Sequence, residues 1–393
     1  MAMGGAGVAA ATSTNAVLYN PAILSSYTKY KEKAKDEAFS FPTLSVRLSR
    51  AVETLADLTD TDYNSDINSS VDAYNTDPTP ATAQAVLSNI NSLYGTLGKV
   101  ANNVFMLDAI ASLVVGVPTK HQGGAFFVTH RAVADGQLNI PASDLELLND
   151  YQEALQYITS SGAAGSQHPE LFDGSGNLID PSNSIAAQAD ARGLLISELG
   201  IGLSKQINIQ GSAFSFGLTP KMVQVTTYEL HKAINSSAQD KDGMKDDDWQ
   251  VNFDFGVLKK ITAQWRAGLV VKNMIERSYP TTSGREITIK PQWRFGVAYN
   301  LPYFTYTLDL DLQPNEGVYA GNASQFLLTG MEIKQGIIRY RLGYRDTFAH
   351  KGPKEDGVFS AGLGLNIKPV YFDLAYSENH QQRAASLMFG FNF

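Results

Sequence analysis

Hydrophobic and polar residues alternate along much of the second half of the chain. The alternation is clearest in residues 292–300, 303–312, 338–345 and 384–393. In the last of these stretches, Leu387 and Phe389 share one face and Ser386 and Gly390 share the other. Because successive side chains of a strand point to opposite faces, each stretch predicts a β-strand with one apolar face and one polar face.

The same reading along the whole chain predicts fourteen strands. They fall at about 38–48, 104–117, 124–133, 188–205, 209–227, 247–257, 261–274, 287–299, 302–313, 323–334, 336–346, 356–367, 369–377 and 384–393. Two long connections, residues 50–103 and 134–187, interrupt this pattern. Helical spacing of apolar residues there predicts helices at 51–60, 82–100 and 141–159, with a polar tract between the first two.

A strand with one apolar face suits either a soluble sheet or a membrane barrel. Strands of about 9 residues or more are long enough to cross a bilayer at a tilt, whereas soluble strands average about five or six. The connections after odd strands are long and those after even strands are short, as in outer-membrane barrels. We therefore expect a 14-stranded antiparallel transmembrane β-barrel with both termini on the periplasmic side, and a soluble β core remains the alternative.

Charged residues on the polar faces predict a ladder inside this barrel. Its expected members are Arg339, Arg341, Arg345, Glu332, Asp309 and Asp311. A water-filled lumen accommodates such a row more easily than a lipid-facing surface does. The ladder has two possible roles, ligand or ion selectivity and structural packing, and the sequence leaves both open.

The first 24 residues are small, apolar and rich in glycine, and they lack the periodicity of a strand or an amphipathic helix. We expect residues 1–36 to form a plug, or hatch, inside a barrel of residues 37–393. The candidate gating residues are Gly4, Gly5, Gly7, Asn20, Pro21 and Ala22. A signal peptide and a nucleotide-binding loop are the alternatives, but the stretch lacks a basic start and a G-x-G-x-x-G pattern.

Composition narrows the possible functions. The chain has 393 residues, no cysteine and a net charge of −8, which argues against disulfides, thiolate chemistry and nucleic-acid binding. Its six histidines are scattered, and no nucleophile elbow or metal-binding spacing occurs. The acidic stretch 240–248 only loosely resembles a calcium loop. We therefore predict neither an enzyme nor a cofactor.

Two stretches carry a resemblance to a known family. Met3-Gly-Gly-Ala-Gly7 and Asn15-Ala-Val-Leu-Tyr-Asn-Pro-Ala22 resemble the N-terminal signature of FadL-like outer-membrane transport barrels, which include conjugal-transfer TraF-like proteins. A last strand ending in Phe393 is similar to the C-terminal signal read by the outer-membrane barrel assembly machinery. The resemblance implies a fourteen-stranded barrel with an N-terminal hatch. It also implies a wall opening at a kinked third strand, where Gly123 and Gly124 lie.

The resemblance also implies a function and a location. We expect a channel in the bacterial outer membrane for passive uptake of small hydrophobic compounds, similar to fatty acids or aromatic hydrocarbons. The expected partners are membrane lipid, lipopolysaccharide, the outer-membrane barrel assembly machinery and a hydrophobic ligand. We expect that the signal peptide for export is not part of this sequence. A non-transporting structural or assembly component of the TraF-like type is the alternative. The two large insertions differ from those expected of fatty-acid channels and favour that alternative.

Overall fold

The chain folds into one closed β-barrel. The computed structural model describes residues 1–12, 15–26, 38–52, 62–101, 104–117, 121–161, 168–233, 243–318, 323–351 and 355–392. Within them, fourteen antiparallel strands pair in chain order, and the last pairs with the first. The wall strands are β1 Ala38–Ser49, β2 Val104–Val117, β3 Gln122–Asn139, β4 Gln188–Ile209, β5 Ser212–Ala233, β6 Gln250–Lys260, β7 Trp265–Lys272, β8 Gln292–Asn300, β9 Phe304–Asp311, β10 Ala323–Gln335, β11 Ile338–Lys351, β12 Val358–Ile367, β13 Val370–Glu378 and β14 Gln382–Asn392.

All fourteen predicted strands are confirmed, with differences at their ends. One difference is at the turn between β4 and β5, which was expected at 206–208. The structure continues β4 to Ile209 and turns at Gln210 and Gly211, both with positive φ. Ile207 and Ile209 maintain the alternation past the expected turn, and both side chains are exposed. Phe393, the residue of the predicted C-terminal signal, lies outside the described residues.

The two faces of the wall differ in polarity. Large apolar side chains are exposed on the outer face, including Leu199, Ile201, Leu218, Met222, Phe295, Tyr340, Leu342, Leu363, Leu374, Leu387 and Phe389. Polar side chains on the inner face are buried, including Thr129, Ser204, Thr219, Lys221, Asp254, Thr307, Asp309, Asp311, Glu332, Ser360 and Ser377. This is the reverse of a soluble domain, in which apolar side chains are buried.

The long connections contain helices, as predicted, with one addition. The helices are α1 Ala16–Tyr19, α2 Tyr63–Thr76, α3 Pro80–Val100 and α4 Ala142–Ser161. The structure adds a helix that was not predicted, because α2 lies within the polar tract. Ile67, Val71 and Tyr74 form its buried stripe despite the surrounding Asn, Asp and Ser residues. The helix predicted at 51–60 falls mostly outside the described residues.

The helices α2, α3 and α4 share an apolar core that packs against the outside of the wall. Tyr74, Ile90, Leu93, Leu148, Tyr151 and Leu155 are among its fully enclosed members. Phe105, Leu138 and Ala189 join this core from β2, β3 and β4. All three have the strand parity of the outward-facing side chains, so the helices cover the outer face where these strands extend toward the long connections. No helix in the described part of the chain is long and apolar enough to cross a bilayer.

A small hairpin folds over the interior at the same end. Its strands are Arg277–Pro280 and Glu286–Ile289, between β7 and β8. Tyr279 and Ile287 of the hairpin pack against Leu194 and Val223 on the inner faces of β4 and β5. Thr227 Oγ1 donates to the carbonyl of Pro280 at 3.1 Å, which ties the hairpin to β5.

Candidate functional site

Residues 1–12 and 15–26 lie inside the barrel. Residues 1–12 and 15–26, called the luminal segment below, contain α1 and the 3-10 helix Pro21–Ser25. Val17, Ala22 and Leu24 are fully buried against Val114, Ala125 and Phe127 of β2 and β3. The luminal segment is thus packed on the inner wall.

Glycines of the wall make this close packing possible. On nine strands a glycine faces the luminal segment so closely that an added Cβ would lie 2.9 Å or less from one of its atoms. These glycines are Gly123, Gly202, Gly217, Gly256, Gly268, Gly296, Gly330, Gly343 and Gly362. Three pairs are direct cross-strand partners: Gly217 with Gly256, Gly268 with Gly296, and Gly330 with Gly343. Glycine inside a strand often marks close approach of another backbone, and here nine such positions form a seat.

The predicted gating glycines adapt the luminal segment to this seat. Gly4 and Gly5 have φ of 64° and 88°, a left-handed backbone that other residues rarely adopt. An added Cβ at Gly4 would lie 2.6 Å from the carbonyl oxygen of Tyr344. Gly7 instead makes room for the ring of Tyr19, which would lie 2.4 Å from an added Cβ. The sequence signature therefore reflects backbone conformation and packing at all three positions.

The Asn20-Pro21-Ala22 motif is a buried hydrogen-bonded corner. Asn20 is 0% exposed, and its Nδ2 donates to the carbonyl of Val8 at 3.0 Å and to that of Val257 at 3.3 Å. Its Oδ1 accepts from the backbone N–H of Ala22 at 3.0 Å, which caps the 3-10 helix. Pro21 and Ala22 lie over Gly217. One side chain thus joins both halves of the luminal segment to β6.

Polar side chains of the wall also bind the luminal segment. Asp309 Oδ2 accepts from the backbone N–H groups of Gly7 at 2.7 Å and Val8 at 2.9 Å. Ser360 Oγ accepts from the N–H of Gly4 at 3.1 Å, and Lys272 Nζ donates to the carbonyl of Leu18. These bonds reach the luminal segment from three different strands.

The predicted charged ladder is present as separate groups. Arg341 binds Glu332 at 2.6 Å and Asp373 at 2.5 Å, toward the short-turn end of the barrel. Arg339 lies beside Arg341 on the inner face, above Gly364. On the long-connection side, Arg345 binds Glu355 at 3.0 Å.

Asp309 and Asp311 end up in different environments. Asp311 binds Arg294 at 2.6 Å, whereas Asp309 binds the luminal segment. The luminal segment lies against the wall between these groups. The role of either group in selectivity stays a prediction.

A cavity of about 900 Å³ lies between the luminal segment and the hairpin. Val17, Leu18 and Tyr19 line it from the luminal segment, and Arg294 and Arg345 line it from the wall. One wall is apolar, formed by Val133, Leu194, Ile196, Val223, Tyr279, Ile287 and Val318. The cavity is large enough for a ligand of ordinary small-molecule size.

The rest of the cavity lining carries charge, mostly compensated. Eight basic and six acidic side chains line it, although the whole chain has a net charge of −8. Lys221 Nζ lies 2.8 Å from Glu198 and 3.0 Å from Asp254. Lys272 is different, because no carboxylate of the described residues lies within 4.0 Å of its ammonium nitrogen. The cavity thus combines an apolar wall with an excess of positive charge.

Sequence reasoning missed the packing role of the nine seat glycines, although it named Gly123 for a wall opening, and it missed a surface cluster on the helices. The signal for the glycines was available, since strand-interior glycines indicate close backbone approach. The surface cluster is Asp150, His168 and Glu170, whose possible ligand atoms lie within 4.8 Å of one another. His168 Nδ1 lies 2.9 Å from Glu170 Oε1, and this hydrogen bond raises the pKa of His168. Asp150 is far from His168 and Glu170 along the chain, so spacing gave no signal.

Known structures with the same architecture include transporters. The Ralstonia pickettii toluene transporter TbuX is 9% identical, with 100% of this chain and 97% of that chain covered and a TM-score of 0.54. The P. putida toluene transporter TodX is 11% identical, with 100% and 97% covered and a TM-score of 0.50. At such low identity these similarities establish the fold alone.

Sequence comparisons identify the family of the chain. No curated protein sequence matches the chain. A family model described as "F plasmid transfer operon, TraF, protein" matches residues 17–311, which is more than half of the chain. The chain is therefore a member of this TraF family, with the barrel fold of the toluene transporters.

Proposed function

We propose that the protein is a channel of the bacterial outer membrane that takes up small, largely hydrophobic compounds passively. The observation that carries this proposal is the cavity of about 900 Å³ with an apolar wall, held between the hairpin and the luminal segment. The exposed apolar outer face supports a lipid environment, because a closed barrel satisfies its backbone hydrogen bonds without water. The toluene transporters TbuX and TodX share this fold.

In this proposal the ligand enters past the hairpin and rests against Leu194, Ile196 and Val223. The luminal segment serves as the plug, and the long connections face the exterior. Lys272, which has no described carboxylate within 4.0 Å, and the excess of basic side chains favour a ligand that also carries an acid group. An apolar body would lie on the β4–β5 wall and the acid group would approach Lys272.

Matched ligands test this proposal directly. We would titrate folded, detergent-purified protein with octanoate and with octanol and measure heat release. Octanoate should bind more tightly than octanol, and Lys272→Met should remove most of the difference. Ile196→Asp should weaken both ligands, because it places a charge on the apolar wall. If neither compound binds, and organic extracts of the purified protein contain no hydrophobic molecule, the channel proposal fails.

The family match supports a second candidate, a non-transporting component of a conjugal-transfer apparatus. The helices α2, α3 and α4 favour it, because their shared core is more structure than closing a barrel requires. Replacing residues 62–101 with a short linker would separate the two functions. Loss of DNA transfer with ligand binding retained would support the assembly role, and the opposite result would support the channel.

A further inference from the structure

Asp309 has an unusual environment for a carboxylate. The residue is 0% exposed and lies on the inner face of β9. Its Oδ2 accepts two hydrogen bonds from the luminal segment, from the N–H groups of Gly7 and Val8. Its Oδ1 has no hydrogen-bond partner among the described residues. No basic nitrogen of the described residues lies within 4.0 Å of it, so the backbone of the luminal segment is its main stabilising contact.

The surroundings of Asp309 do not supply another partner. Gly296, its cross-strand partner on β8, leaves only backbone beneath Oδ1. Leu328 is its partner on β10 and carries no charge. The titratable and charged groups that act on Asp309 are Arg294 from β8, Asp311 from β9 and Tyr19 from the luminal segment. Arg294 is already engaged by Asp311 at 2.6 Å.

We propose that Asp309 is a proton-sensitive latch that holds the turn Gly7–Val8 of the luminal segment on the wall. A hydrogen bond to an ionised carboxylate is roughly twice as strong as one to a neutral acceptor. A proton on Oδ1 makes both bonds neutral, and a proton on Oδ2 replaces an acceptor with a donor that faces two N–H groups. Either event loosens the turn at acidic pH. The latch requires no ligand, so it stands or falls separately from the channel proposal.

Cysteine labelling tests the latch because the chain contains no cysteine. Ala6 is buried beside the latched turn, and Ala6→Cys would report its exposure. Gly95→Cys on α3 provides the reference, since nothing lies within 4 Å of an added Cβ there. Dividing the maleimide labelling rate of Ala6→Cys by that of Gly95→Cys removes the intrinsic pH dependence of thiol reactivity. We expect this ratio to rise about tenfold from pH 8 to pH 5, since a difference of 1.4 kcal/mol is tenfold.

Two carboxamide variants identify the responsible group. Asp309→Asn should give the high ratio at every pH. Asp311→Asn is the matched control, because it removes a buried carboxylate on the same strand and face that does not bind the luminal segment. The rise should persist but move to lower pH, because loss of the Asp311 charge leaves Arg294 free to stabilise ionised Asp309. A ratio that does not change with pH in the protein with Asp309 intact would overturn the latch, even if Asp309→Asn failed to fold. A pH dependence that persists in Asp309→Asn would also overturn it.

Discussion

Gly330 and Gly343 are direct cross-strand partners on β10 and β11, and the backbone of Met3 and Gly4 crosses both. An added Cβ at Gly343 would lie 1.9 Å from the backbone nitrogen of Gly4, and one at Gly330 would lie 2.6 Å from the carbonyl oxygen of Met3. At this crossing the backbone of the luminal segment therefore lies directly against the wall, and the Cβ of Met3 also contacts Gly330.

Gly343→Ala should displace the luminal segment. A single methyl group cannot be accommodated by rotating a side chain there, because the nearest atoms are backbone. Overpacking of this kind typically costs about 1–3 kcal/mol of stability. Thermal unfolding of the detergent-solubilised protein measures the loss. Gly124→Ala is the control, since the nearest atom to its added Cβ is 3.9 Å away, and equal losses in the two variants would contradict a tight seat.

Leu374→Arg tests whether the outer face contacts lipid. Leu374 is 52% exposed on β13, so a soluble protein should tolerate arginine there. In a bilayer, arginine on the lipid-facing side of a barrel costs about 2–4 kcal/mol near the midplane. We expect slower folding into liposomes and lower stability. Ile179→Arg, at an exposed position near the helices, should behave like the unchanged protein, and similar behaviour of Leu374→Arg would argue against membrane insertion.

Lys221→Met should strongly destabilise the barrel interior. Lys221 is buried and forms ion pairs with both Glu198 and Asp254, and its Nζ also donates to Asn273 at 2.7 Å. Removing one partner of a buried ion pair typically costs about 3–5 kcal/mol, because the remaining charge stays buried. Equilibrium unfolding in urea measures this cost. The exposed pair of Lys290 and Glu316 offers a control, and Lys290→Met should leave the unfolding curve nearly unchanged.

The cluster at His168 should make the helical region pH-dependent. The hydrogen bond to Glu170 raises the pKa of His168 above its ordinary value of 6.5. The stabilisation from protonated His168 is therefore complete below about pH 6.5 and is lost as the pH rises through the raised pKa. The N–H groups of Leu171 and Phe172 donate to the carbonyls of His168 and Pro169. Their hydrogen exchange, corrected for intrinsic rates, should become faster between pH 6 and pH 8. His168→Gln should remove this change, and an unchanged profile in that variant would exclude His168 as its source.

The wall was predictable because alternation is a strong signal in a barrel. In β9, for example, inward residues such as Thr307 alternate with outward residues such as Leu308 along the whole strand. The helix α2 was missed because its buried stripe of Ile67, Val71 and Tyr74 is sparse among polar residues. Tertiary packing against α3 supplies the stability that local propensity does not.

The interior was less predictable, because it depends on register between strands. Asp309 and Asp311 are two residues apart on one face, yet one binds Gly7 and the other Arg294. Nothing local distinguishes them, since the difference is set by where the first residues of the chain cross β9. Gly4, Gly5 and Gly7 were recognised as important, but the glycines opposite them were not.

The glycine seat also constrains the order in which the protein can fold. Gly7 and Asp309, which bind each other, are 302 positions apart, and Gly4 and Ser360 are 356 positions apart. Contacts of such long range form slowly, because the intervening chain must first be ordered. The luminal segment therefore completes its contacts only once β9 and β12 are in place. A chain that lacks these strands would have a luminal segment without its binding surface.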